Sequence, residues 1–151
     1  MEWSEYDYNG GAACIPIQLL SSAHNAIKGA IMPEVYISAS QFTDQILDSL
    51  HGQGWSGELR IDPLSNITIT SVYNQIGLCL QTGNVSRIYA DLLKLQVLFR
   101  RGSIVCGIII VPENEISKKI GANVVNMHRL IKELRIFKDV IDIPLVVMGL
   151  K

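Results

Sequence analysis

The side chains that could do chemistry are few and scattered. Cys14, Cys79 and Cys106 have no metal-ligand spacing, and an odd count in apolar surroundings points to reduced, buried thiols rather than a disulfide framework. Cys79 lies between Leu78 and Leu80 with no histidine evident beside it. A thiol nucleophile needs a base and an electropositive, accessible setting, and the sequence offers neither here. His24 has no second ligand four residues on, so a helical metal pair is not formed. His51 suits the negative end of a helix dipole, and His128 sits beside basic residues as a solvated side chain. Gly77-Leu-Cys-Leu-Gln-Thr-Gly83 has neither dinucleotide-binding nor P-loop spacing. What remains is charge. Residues 1–75 carry two basic and eight acidic side chains, whereas residues 76–151 carry eleven basic and six acidic ones. The C-terminal half, with Arg87, Lys94, Arg129, Lys132 and Arg135, can therefore present a positive surface, the alternative being that these charges are solvated helix faces.

These residues need elements to hold them. A chain of 151 residues, 48% hydrophobic, has the size and core of one ordinary domain. No apolar run has bilayer length, and the acidic, aromatic first residues lack the basic stretch of a signal peptide. The expectation is a cytoplasmic protein without membrane contact. Met1–Ala13 reads as a loose lead-in that ends at Gly10 and Gly11. Ile15–Met32 has helical periodicity, with Pro16 in its first turn and Pro33 after its end. Val35–Ile37 reads as an extended link. A second helix spans Gln41–His51, with Ser38 or Ser40 as its cap. Glu58–Asp62, Ile67–Thr70 and Gln75–Gln81 read as three short strands in an antiparallel meander, with Pro63–Asn66 as a turn.

Thr82-Gly-Asn84 turns the chain into an amphipathic helix. Val85, Ile88, Leu92, Leu95 and Phe99 form its apolar stripe; Arg87, Asp91 and Lys94 take the other side, with Arg87–Asp91 at pairing distance along the helix. Gly102 ends it. Ile104–Val111 has the composition of a strand buried on both faces, and Pro112 stops it. Glu113–Ile120 and Asn123–Phe137 follow as helices, and Val140–Leu150 as a last strand. Strand-helix-strand units of this kind require crossovers and a sheet covered by helices.

Within residues 66–150 the chain resembles the BglII/BamHI-type branch of the restriction endonuclease-like superfamily. The resemblance lies in Ile76–Asn84, the following Tyr89-Ala-Asp-Leu-Leu-Lys-Leu-Gln helix, Val105–Pro112, Ile120–Val124 and Ile143–Gly149. It implies one α/β domain over residues 1–151, a restriction endonuclease-like mixed sheet flanked by helices. It also implies a metal site on the core strands. In that family an aspartate and a glutamate bind Mg²⁺, a hard cation that takes oxygen ligands and activates water against a phosphodiester. Transferred to this chain, the aspartate position is Thr70 and the glutamate position is Cys79. Tyr73 takes a position often basic, and Gln81 retains the final polar residue. A neutral hydroxyl and a soft thiol replace two anionic ligands.

Two readings follow from the resemblance, beside a third in which the chain is an assembly or scaffold subunit with no nucleic-acid role. In the first, the chain keeps the scaffold without catalysis, with no cofactor. It binds DNA or a related nuclease subunit as a restriction-related regulator or inhibitor, and pairs as a homodimer through the helices after Asn84 and Asn123. In the second, it is a Mg²⁺-dependent endonuclease on duplex DNA, with Asp62 as a relocated metal ligand acting with Gln81.

Overall fold

The all-apolar run before Pro112 forms the middle of the sheet, because only a strand covered on both faces can bury every side chain. The structure is a computed structural model and describes residues 1–30 and 38–151. Its strands are β1 Trp3–Tyr8, β2 Leu59–Arg60, β3 Thr68–Ile69, β4 Ser71–Tyr73, β5 Ile76–Leu80, β6 Cys106–Pro112 and β7 Leu145–Leu150. Its helices are α1 Gly11–Cys14, α2 Ile17–Gly29, α3 Ala39–Gly52, α4 Arg87–Arg100, α5 Asn114–Ile120 and α6 Met127–Ile136. The main sheet runs β1-β7-β6-β5-β4. The β5-β6 and β6-β7 pairs are parallel and the two outer pairs antiparallel, so the fold is the expected mixed sheet.

Strand parity divides the core in two. Ile76, Leu78, Leu80, Ile108, Ile110, Val146 and Met148 face α2 and α3. Cys79, Ile109, Val111, Leu145 and Val147 face α4 and α6. Each strand thus feeds both layers by simple alternation.

Three expectations change. Residues 1–13 are not a loose lead-in: Trp3–Tyr8 pairs antiparallel with Leu145–Leu150 across its whole length. This pairing needs the far end of the chain, so no local signal announces it. The three-strand meander is instead two units. β2 and β3 form a separate hairpin, while β4 joins β5 in the main sheet. Thr70 is the hinge residue between them. The last long helix starts at Met127 rather than Asn123. The Asn126 side chain caps it by accepting from the Arg129 N–H, and Val124 bridges to Asn84. The expected helix end at Met32, Pro33 and the link Val35–Ile37 lie outside the described residues. Ser38 caps α3 in a reciprocal box with Gln41. Among the described residues no helix is long and apolar enough to cross a membrane.

Candidate functional site

The carboxy end of β5 carries the residues of interest. Leu80 faces the α2/α3 layer, while Cys79 and Gln81, two apart, turn toward α4. β6 fixes their height, since the Gln81 N–H donates to the Ile110 carbonyl at 2.9 Å. Thr70 is held alongside: its Oγ1 accepts from the Leu80 N–H at 3.0 Å. Cys79 itself is buried, and burial pushes its thiol well above the ordinary range, with the Asp91 charge adding to the rise. It is neither accessible nor ionised, as a nucleophile or ligand would need to be.

Gln81 is fully engaged. Its Nε2 donates to Asp91 Oδ2 at 2.8 Å, and its Oε1 accepts from the Gly83 N–H at 3.0 Å. Asp91 is the residue that sequence reasoning misplaced. The helical pattern sets it on the outer, polar side, paired with Arg87. It is buried, and its partners are Gln81 and Lys94, whose Nζ lies 2.9 Å from Oδ1. A signal existed: Asp91 falls three residues after Ile88 and four before Leu95, inside the apolar stripe.

These groups line an open cleft of about 670 Å³ between α3, the β2–β3 hairpin and α4. One wall carries Arg87, Asp91 and Lys94 from α4. The other carries Thr43 and Asp44 from α3, and Glu58. Thr70, Gln81 and Thr82 form the floor, where the Thr43 and Thr82 hydroxyls meet at 2.5 Å. Backbone order explains the shape: β5 ends at the floor, and the Thr82–Ser86 turn lifts the chain into α4. Asn84 organises that turn by accepting from the Ser86 N–H at 2.9 Å.

Asp62 is not among these groups. Its Oδ1 accepts from the Leu64 N–H at 2.9 Å in a side-chain turn, and its Oδ2 lies 3.6 Å from Arg101. The structure thus does not bring Asp62 to Gln81. Tyr73 stacks edge-on against Trp55, not into the cleft. Of the cations, Arg87 and Lys94 line the cleft, while Arg129, Lys132 and Arg135 are exposed on α6. Arg129 is held by Glu133 at 2.7 Å, and this hydrogen bond raises its pKa further. Tyr89 ties α4 to α6 through the same carboxylate at 2.9 Å.

The Mg²⁺ implied by the resemblance does not fit these residues. Its two ligand positions hold a hydroxyl bonded to the backbone and a sealed thiol. The nearest carboxylate, Asp91, already has both oxygens occupied. Among the described residues no group of three or more His, Cys, Asp or Glu side chains converges on a point.

A sequence model described as restriction endonuclease BglII/BglIII matches residues 3–150. In fold the chain is similar to restriction endonuclease BglII complexed with a DNA 16-mer, at a TM-score of 0.84 and 15% identity, covering 100% of this chain and 78% of that one. Free BglII is similar at 0.78 and 17%, covering 100% and 80%. At such identities the likeness speaks for the fold alone. No curated protein sequence matches the chain.

Proposed function

The chain belongs to the restriction endonuclease BglII/BglIII family, and from that premise we propose that it binds duplex DNA without cleaving it. One observation carries this reading: where the family resemblance expects two metal-binding carboxylates stand Thr70, at the floor of the cleft, and Cys79, buried in the core beneath it. With no anionic ligand at either position, the site loses most of its attraction for a dication. The scaffold that would hold a duplex is retained. Arg87 and Lys94 on the cleft wall, with Lys132 and Arg135 on α6, supply charge for phosphate contacts, which dominate affinity and release counterions. A solved relative is complexed with DNA, and this supports duplex DNA as the ligand. In a restriction setting such a protein acts as a regulator or inhibitor by occupying sites.

The test uses the full chain with a labelled duplex and with supercoiled plasmid, across a potassium chloride series, in EDTA and in Mg²⁺ or Mn²⁺. The expected result is binding that weakens steeply with salt and plasmid that stays intact under every metal. Metal-dependent nicking would overturn the non-catalytic reading, and absence of salt-sensitive binding would overturn the DNA reading.

A second reading concerns a protein partner. A groove of about 330 Å³ lies between α4 and the segment after α6, lined by Tyr89, Leu92, Leu93, Phe137, Val140 and Ile141. Leu93 and Val140 are exposed there at 54% and 61%. An apolar patch of this kind favours pairing, either with a second copy or with a related nuclease chain. Sedimentation equilibrium tests the first: a strictly monomeric chain at micromolar concentration would rule it out.

A further inference from the structure

The geometry points to Lys94 as the resident cation of the cleft: its ammonium, anchored on Asp91, receives a backbone phosphate and makes duplex binding independent of any divalent metal. This rests on the DNA reading above and identifies the group that carries it.

The anchor is a relay of three side chains. Gln81 is fixed by the Gly83 N–H and donates to Asp91 at 2.8 Å; Asp91 receives Lys94 on its other oxygen at 2.9 Å. The carboxylate lies behind and the ammonium in front, since the side chains are 9% and 22% exposed. Lys94 therefore turns toward the cleft the positive end of a buried pair. An ammonium has three N–H donors, and Asp91 takes one. The remaining donors are held in place before any ligand arrives, which lowers the ordering cost of binding.

Position supports the same role. Gln81, two residues after Cys79 on the same strand, is bonded to Asp91, and Thr70 lines the same cleft as Asp91 and Lys94. The ion pair thus stands beside the two positions that the family resemblance assigns to metal ligands. Asp91 is already neutralised there, which leaves a dication little to bind. Arg87, also on α4, extends the cationic wall toward the Thr82–Ser86 turn. Asp44 and Glu58 lie on the facing wall and, like Arg87, are solvent-exposed, where salt screens all three. The half-buried Lys94 is screened least, so a phosphate is received on the α4 side.

Lys94→Met alone would leave a buried carboxylate without its cation and could unfold the chain. The decisive variant is Asp91→Asn with Lys94→Met, which removes both charges and keeps the net charge of the cleft. Lys94→Arg serves as the conservative control. Binding of a short labelled duplex is measured by anisotropy in EDTA over a salt series, with circular dichroism to check folding. The expected result is that wild type binds in EDTA. The double variant binds about tenfold more weakly, with a salt slope smaller by about one, and Lys94→Arg retains both. Wild-type binding with an unchanged double variant would overturn the role of Lys94 and leave the DNA reading standing. Wild-type binding that appears only with Mg²⁺ would overturn the metal independence. A wild type that binds in neither condition would sink the DNA reading and this inference with it.

Discussion

Cys79 sits on the sheet face that meets α4, among Ile88, Leu92 and Ile109, with no path to solvent. Its raised pKa has a consequence for stability that follows from linkage. In the unfolded chain the thiol ionises near about pH 8.5, whereas in the folded chain burial keeps it protonated to higher pH. Above the unfolded value the folded state holds the extra proton, so stability falls as pH rises, by at most about 1.4 kcal/mol per pH unit. Below about pH 8 the contribution is constant. Cys79→Ala removes this titration and leaves a small cavity, at a cost of about 1–2 kcal/mol near neutrality. The deficit of the variant relative to wild type should then shrink between pH 8 and pH 10, read from urea unfolding in reducing buffer. A deficit that stays constant over that range would mean the thiol is not sealed. The polar half of the same site was only partly legible. The family resemblance singled out Thr70, Cys79 and Gln81, and strand alternation, which is local, put Cys79 and Gln81 on one face. The helical pattern placed Asp91 wrongly because a polar residue on a helix is assumed to face water unless its partner is known. That partner, Gln81, is on another element.

Elements differ in how much of their reason lies within them. The helix Arg87–Arg100 and the strand Cys106–Pro112 follow from periodicity and an unbroken apolar run, both complete within a dozen or so residues. β1 does not: its strand character exists only against β7, and its own residues alternate weakly. What could be seen was the Gly10-Gly11 break, and the structure shows its function. Gly10 has φ 78°, and a Cβ there would meet open space. Gly11 lies flat against β7, where a Cβ would overlap the Leu145 carbonyl. The first glycine turns the chain and the second lets α1 press on the strand that β1 pairs with. The Ala12 N–H, bonded to Asp7 at 2.8 Å, closes this corner. Gly10→Ala should cost about 1 kcal/mol, the price of a left-handed alanine. Gly11→Ala should cost more, about 2–4 kcal/mol, because backbone must move. Thermal unfolding of the two variants decides it. If Gly11→Ala is no more destabilised than Gly10→Ala, the close approach of α1 to β7 is not a constraint on the fold.

At the scale of the molecule, the division of charge seen in the sequence becomes two walls of one cleft. The acidic N-terminal half supplies Asp44 and Glu58; the basic C-terminal half supplies Arg87 and Lys94, with Asp91 behind Lys94. Under the proposed DNA binding, a single cleft with one cationic wall would contact few phosphates, and its affinity for a duplex would be modest and strongly salt-dependent. Pairing of two chains would change this, because the second cleft then meets the same duplex at a high effective concentration. The groove beside α4 is where such pairing is expected, and Leu93 is its most telling residue: it lines the groove and is more than half exposed. An apolar side chain in that position gains little from the monomer's own core, so Leu93→Glu should leave the melting temperature nearly unchanged. In a pair it would set a charge into an apolar contact on both sides of the two-fold axis, where burial without a partner is costly. The expected outcome is a wild type that sediments as a dimer and a Leu93→Glu variant that sediments as a monomer with an intact fold. The monomer should then bind a duplex at least tenfold more weakly than wild type, although no residue of the cleft has changed. Equal duplex affinity for a proven monomer and a proven dimer would mean that the two clefts do not act on one duplex. The pairing face would then serve another purpose than DNA.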